Sequence, residues 1–236
     1  MSLPPEIIKQ IISFTDPVLY PVMYYLFHEI LTIPSPTEKQ IKDLFNWAFI
    51  KGNKNNLCKD ICYFMKKLET IDYNKMLRDA AYHGHESICY LAKKWGATDY
   101  TDILCMAAKG GHEHICRLAK KWGATDFDGM LCIAAERGHE NLCYLAKDWG
   151  ATEFNGMLDY ATLGQHEHIC RLAKLWGATD FDEMLYTAAQ INNERLCRLA
   201  RMWGATNFDD MFYVAAKNGH KHICKLAKEW KNHWYQ

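Results

Sequence analysis

DFDGMLCIAAERGHENLCYLAKDWGAT, residues Asp126–Thr152, is the stretch that decides the fold. It recurs with few changes on both sides. Trp95, Trp122, Trp149, Trp176, Trp203 and Trp230 stand 27 residues apart, and Cys89, Cys116, Cys143, Cys170, Cys197 and Cys224 keep the same step. A fixed period of about 20–50 residues marks a stacked array in which each repeat covers its neighbour's apolar face. Inside the repeat, Phe127, Met130, Leu131, Ala134 and Ala135 form one helical stripe, which defines a helix A. Gly138 stands where a left-handed residue can close it. Leu142, Cys143, Leu145, Ala146 and Trp149 line one face of a helix B, which Gly150 ends. No repeat shows strand-like alternation. The expected fold is all-α, a solenoid of helix–turn–helix repeats.

Outward from this stretch, regular repeats cover residues 72–230. Before them, Leu44, Phe45, Ala48, Phe49 and Gly52 match Met76, Leu77, Ala80, Ala81 and Gly84, so residues 41–71 read as a degenerate first repeat with a lengthened KGNKNN loop. Residues 1–40 read as a helical N-terminal cap. The apolar run over residues 18–33 is interrupted by Pro21, His28 and Glu29 and is shorter than the roughly 18–20 residues a membrane span needs, so it is expected to be a buried capping helix. At the other end, Lys231-Asn232-His233 replaces Gly-Ala-Thr, and residues 231–236 read as a C-terminal cap.

With 28 basic and 28 acidic residues, the chain has no net charge to draw it to nucleic acid or acidic membrane. Six of the ten cysteines share one apolar phase of the repeat, as packing thiols of a reducing compartment would. The opening Met-Ser-Leu-Pro-Pro-Glu lacks the basic stretch of a secretory signal. The expected location is intracellular and cytoplasmic, away from membranes.

Three patterns invite a chemical reading. His112 and Cys116 lie one turn apart and recur, but a closed zinc site needs four ligands and no partner pair keeps a fixed spacing. The first His of each Gly-His is expected to cap or bridge the turn between repeats, and no metal or cofactor is expected. A Cys and a His in most repeats do not make the singular site that nucleophilic catalysis requires, so no catalytic residue is assigned and no enzyme activity is expected. Helix B carries two basic columns, Arg117/Arg171/Arg198/Lys225 and Lys93/Lys120/Lys147/Lys174/Arg201/Lys228. Glu113, Glu167 and Glu194 precede an arginine by four residues, the favourable helix-surface order. With no aromatic interleaving at exposed positions, the columns read as a solvated outer face, and nucleic-acid binding ranks third among the functions considered. The repeated Trp and Cys read as core.

The positions that differ between repeats are the remaining signal. They gather on helix A and nominate Arg78, Tyr82, Lys109, Glu136, Asp159, Tyr160, Tyr186 and Tyr213 as partner-binding residues, tyrosine being suited to interfaces. The repeat at 180–206 replaces Gly-His with Asn192-Asn193, which suggests a bend or a weakened turn.

The order Ala134-Ala135, Gly138-His139, Gly150-Ala151 resembles the ankyrin repeat over residues 44–230. The ankyrin unit has about 33 residues, so the resemblance implies that the β-hairpin finger is missing here. Cys132 stands in place of the family's histidine, and Lys147 in place of its third leucine, with Trp149 taking over the buried area. Short-period arrays of this kind look like ankyrin-type proteins of giant DNA viruses, which implies a viral source and a host target. A second resemblance covers residues 3–19. Leu3, Pro4, Ile7, Ile8 and Ile11 follow the opening of an F-box, which implies docking to the linker subunit of a cullin ubiquitin ligase. The leading functional expectation is a non-enzymatic scaffold that binds a protein partner through the variable face, with the F-box-type substrate adaptor as runner-up.

Overall fold

A computed structural model describes residues 72–234. Residues 1–71 lie outside the described residues, and with them the expected N-terminal cap, the degenerate first repeat and the F-box-like Leu3, Pro4, Ile7, Ile8 and Ile11. The chain divides into two compact units, Met1–Met106 and Ala107–Gln236.

The described part is all-helical, with no strand among the described residues. The helices are α1 (Tyr73–His83), α2 (Glu86–Trp95), α3 (Tyr100–Gly110), α4 (Glu113–Lys121), α5 (Phe127–Glu136), α6 (Glu140–Asp148), α7 (Phe154–Leu163), α8 (Glu167–Trp176), α9 (Phe181–Gln190), α10 (Glu194–Trp203), α11 (Phe208–Lys217) and α12 (Lys221–Trp234). Odd numbers are the A helices and even numbers the B helices. Consecutive helices pack as pairs, as α1 with α2, α5 with α6, and α7 with α8. In the second unit, α5, α7, α9 and α11 also pack in series. The helix-hairpin repeat array expected from the period is the observed architecture.

Each element follows from local chemistry. Helix α5 begins where Asp126 Oδ1 accepts the Gly129 N–H at 2.8 Å, satisfying one of the donors a helix start leaves open. Asp180 and Asn207 do the same for Glu183 and Asp210. Met130, Leu131, Ala134 and Ala135 are fully buried, and small alanines let neighbouring helices approach closely. Gly138 then takes φ +79°, and the His139 N–H donates to the Ala134 carbonyl at 2.9 Å, which turns the chain into α6. On α6 the face formed by Leu142, Cys143, Leu145 and Ala146 is buried. Burial of a Leu or Met side chain stabilises by about 1.5–3 kcal/mol. Neighbouring repeats supply part of that cover, so the array rather than the single hairpin is the folding unit.

The repeat without Gly-His keeps its turn. Asn192 adopts φ +60°, and Asn193 Oδ1 accepts the Leu196 N–H at 3.1 Å. Asparagine tolerates the left-handed region better than most residues, so the hairpin α9–α10 forms like the others. At the C-terminal end, Lys231 takes the place where earlier repeats have glycine, and α12 continues to Trp234. Among the described residues no helix is long and apolar enough to cross a membrane.

Candidate interaction surfaces

Two sets of side chains remain after the core is accounted for: those that tie repeats together and those that face outward. The first set explains how the repeats join without a β-hairpin finger. In the second unit, Asp128 Oδ1 accepts the backbone N–H groups of Thr152 (2.7 Å) and Glu153 (3.0 Å), at the start of the next repeat. Asn155 does the same for Thr179 and Asp180, and Asp182 for Thr206 and Asn207. In the first unit Asn74 holds Thr98 and Asp99. A single Asp or Asn in the first turn of helix A is thus a staple for the following loop. The sequence shows this Asn/Asp recurrence, but its partner is backbone, which no side-chain pattern reveals.

Histidines form a second tie. His166 Nε2 lies 3.1 Å from the Glu136 carbonyl oxygen of the preceding repeat, and His220 Nε2 lies 2.9 Å from that of Gln190. Of the two roles expected for the first His of the motif, capping or bridging, His166 and His220 bridge to the preceding repeat, and the His166 side chain makes no cap hydrogen bond. The rings fill the space beside the preceding turn: a Cβ on Gly138 would stand 2.6 Å from the His166 ring, and one on Gly111 2.8 Å from that of His139. Gln165 occupies the glycine position in the next repeat, at φ +62°, and the residue that faces it from the repeat after that is Asn193 in place of histidine. Asn193 Nδ2 donates to Gln165 Oε1 at 3.2 Å.

Carboxylates on the B helices make a third tie. Glu167 accepts from Arg171 at 2.7 Å within its helix and from Arg195 of the next repeat. Glu194 accepts from Arg198 at 2.6 Å and meets His222 Nε2 at 2.5 Å. The hydrogen bond from Arg171 is the main cause holding the Glu167 carboxyl below its usual range, and Arg198 does the same for Glu194.

The tryptophans differ from the expectation of core. Trp230 is buried, but Trp149, Trp176 and Trp203 are only half-buried. Each meets the phenylalanine of its own helix A edge to face, as Phe127 with Trp149 at 5.4 Å and Phe181 with Trp203 at 5.6 Å. Lys120 of the preceding repeat sits 4.5 Å above the Trp149 ring, Lys147 4.3 Å above Trp176, and Lys174 4.7 Å above Trp203. Arg201 covers Trp230 at 4.7 Å. The basic residue in the third-leucine position and the tryptophan of the next repeat are therefore halves of one contact. A lysine can lay its apolar stem on the ring while its charge stays in water, which is why the ring needs no full burial. Sequence reading separated the two because they are 29 residues apart and belong to different repeats.

The cysteines follow the expectation of packing. Cys89, Cys116, Cys143, Cys170 and Cys197 are buried, and Cys224 is half-buried. Burial pushes the thiols of Cys89, Cys143 and Cys197 up to about 12 and that of Cys170 to about 11. Among the described residues no group of three or more His, Cys, Asp or Glu side chains is placed to hold a metal ion.

The positions nominated on helix A divide. In the first unit Arg78 and Tyr82 are exposed, and Arg78 reaches Asp102 at 3.4 Å. In the second unit Tyr160 and Tyr213 are exposed, at 40% and 62%, whereas Lys109, Glu136, Asp159 and Tyr186 are half-buried. Asp159 accepts a 2.6 Å hydrogen bond from Thr187 Oγ1 of the next repeat, so part of the variation between repeats is matched packing. Leu163, in the same column as Glu136, is 47% exposed.

Helix B holds what the sequence reading passed over. Tyr90 and Tyr144 are exposed, and they share the column of Arg117, Arg171 and Arg198. Aromatic residues do interleave with the basic column, contrary to the expectation. Tyr144 packs edge to face on Trp176 at 5.1 Å. Leu175 and Met202 are also exposed on this side. Their two columns vary between repeats, Tyr90/Arg117/Tyr144/Arg171/Arg198/Lys225 and Lys94/Lys121/Asp148/Leu175/Met202/Glu229, and that variation is the signal the sequence carries for them.

No protein-family model and no curated protein matches this chain.

Proposed function

We propose that the chain is a non-enzymatic protein-binding array of ankyrin-like repeats, which engages a protein partner through the variable positions of its A helices. One observation carries this reading. Tyr160 and Tyr213 are exposed at positions where the repeats differ, on helices whose buried Met, Leu and Ala positions scarcely change. A constant core fixes the backbone in advance, so side chains on its surface lose little freedom when a partner binds. Tyrosine brings apolar area and a hydrogen-bonding tip to such a surface. The ankyrin-like order of motifs supports a binding role, and with no strand between repeats among the described residues, helix faces and short loops are left to do the binding. The short period resembles that of giant-virus ankyrin-type proteins, and on that resemblance the proposed target is a host protein.

The test is a proximity-labelling screen with the full chain and with a Tyr160→Ala, Tyr186→Ala, Tyr213→Ala variant. The expected result is a partner recovered by the former and lost by the latter, with unfolding midpoints alike. Identical recovery by both sinks this reading. The runner-up, a ubiquitin-ligase adaptor, rests on the F-box-like Leu3, Pro4, Ile7, Ile8 and Ile11. It requires recovery of the ligase linker subunit and loss of that recovery when residues 1–20 are deleted.

A further inference from the structure

Among the described residues, the two most exposed large apolar side chains are Leu175 (79%) and Met202 (68%). They lie one repeat apart in the same place, the penultimate residue of α8 and of α10. Other repeats carry Lys94, Lys121, Asp148 and Glu229 there. The repeat architecture does not require an apolar residue at this place, and side chains so exposed add little to the fold. Leu175 lines a shallow open depression of about 460 Å³ together with Arg171, Lys174 and Trp203, the residue after Met202.

The surroundings are cationic. Helices α8 and α10 carry Arg171, Lys174, Arg195, Arg198 and Arg201 against two carboxylates, Glu167 and Glu194. Both carboxylates are already engaged by arginines. The imbalance extends through the unit Ala107–Gln236. Its B helices hold thirteen Lys and Arg against six carboxylates, while the remaining segments hold three against ten. A chain of zero net charge is thus divided into acidic A segments and basic B helices, and local fields, unlike the total, are what steer a partner.

We propose that the Leu175–Met202 patch docks an acidic, amphipathic segment of a partner protein. A large apolar side chain of that segment enters the depression between Leu175 and Trp203, and flanking carboxylates meet Lys174, Arg171 and Arg198. Apolar contact supplies the anchor, and the charges supply orientation and choice of partner. Protein is favoured over single-stranded nucleic acid by the ring geometry. Base stacking needs free aromatic faces, and Lys174 and Lys147 already lie over the rings of Trp203 and Trp176. This surface is on the B helices and uses none of the helix A positions, so either surface can fail without the other.

The experiment pans a random twelve-residue peptide library against the immobilised full chain, then measures the enriched peptides by fluorescence anisotropy. Enriched peptides should join a large apolar residue to an excess of Asp and Glu. Their affinity should fall about ten-fold or more in Leu175→Ser/Met202→Ser and in Lys174→Glu, weaken with salt, and be unchanged in Tyr160→Ala/Tyr213→Ala. Both altered apolar residues are exposed, so circular dichroism should show an intact fold. Absence of enrichment, enrichment without acidic residues, or equal binding to the Leu175→Ser/Met202→Ser variant overturns the proposal. So does tighter binding of a twenty-nucleotide oligothymidine that competes for the same patch, which assigns the surface to nucleic acid.

Discussion

Replacing Asp128 by alanine removes one acceptor that holds two backbone N–H groups of the next repeat. Asp128 Oδ1 stands 2.7 Å from the Thr152 nitrogen and 3.0 Å from that of Glu153. Hydrogen bonds to a charged group stabilise by about 1.5–3 kcal/mol where water is excluded, and this site is partly open, so about 1–3 kcal/mol is expected for the pair. For a protein of this length that corresponds to roughly 2–4 °C in Tm for each kcal/mol. Two companion variants isolate the cause. Asp128→Asn keeps the acceptor, as Asn155 and Asn74 do in their own repeats, and should stay within about 0.5 kcal/mol of the parent. Asp209 occupies the same place in the last repeat, where its partner is Lys231 Nζ at 2.5 Å. That exposed pair contributes about 0–1 kcal/mol, so Asp209→Ala should cost much less than Asp128→Ala. The assay is equilibrium urea unfolding, followed by hydrogen exchange of the peptide that contains Thr152 and Glu153, where loss of protection should concentrate. If Asp128→Ala and Asp128→Asn are equally stable, or Asp209→Ala falls as far as Asp128→Ala, the staple is not what joins the repeats.

Gly138→Ala should destabilise by at least about 1–2 kcal/mol, the cost of a left-handed non-glycine residue, because its Cβ also meets the His166 ring at 2.6 Å. The double change Gly138→Gln/His166→Asn copies the Gln165–Asn193 pair and should recover part of that loss in thermal unfolding. Lys174→Gln removes the cation above Trp203 and should cost about 0.5–1 kcal/mol, read by urea unfolding and by a shift in tryptophan emission. The Glu167 carboxyl is depressed when folded, so its contribution to stability is present above the unfolded value and disappears as pH falls through the folded one. Arg195→Ala should therefore raise the Glu167 titration midpoint in carbon-detected NMR and lower stability at neutral pH more than at strongly acidic pH. Cys143 and Cys197, buried and with thiols pushed up to about 12, should resist an alkylating reagent at pH 8 until urea is added. Rapid labelling in the native state, mapped by mass spectrometry, would contradict their place in the core.

Residues whose role is fixed by period and helical phase were legible. Met130, Leu131, Ala134 and Ala135 are buried because their spacing puts them on one side of a helix, and the same spacing is visible in the letters. Residues whose role depends on a neighbour in the next repeat were less so. Trp149 read as core, yet it is half-buried beneath Lys120, because a lysine stem and charge can cover a ring that apolar neighbours leave open. Asp159 varies between repeats, and its letter alone does not show that it accepts a hydrogen bond from Thr187 of the next repeat. The exposed Tyr144, Leu175 and Met202 stand among the charges of helix B at positions with no repeated apolar pattern, so the period does not mark them.

The 27-residue period by itself determined the helix pairs, their ends and their buried faces, since these depend on interactions within a repeat or between identical positions of adjacent repeats. Only the tertiary structure decided which polar residues join repeats and which are left outward. That division depends on contacts between residues some 24–30 positions apart, where a side chain can meet a backbone carbonyl, an amide or an aromatic face. Periodicity records that a residue recurs, but a repeated letter is the same whether its partner is solvent, its own helix or the next repeat.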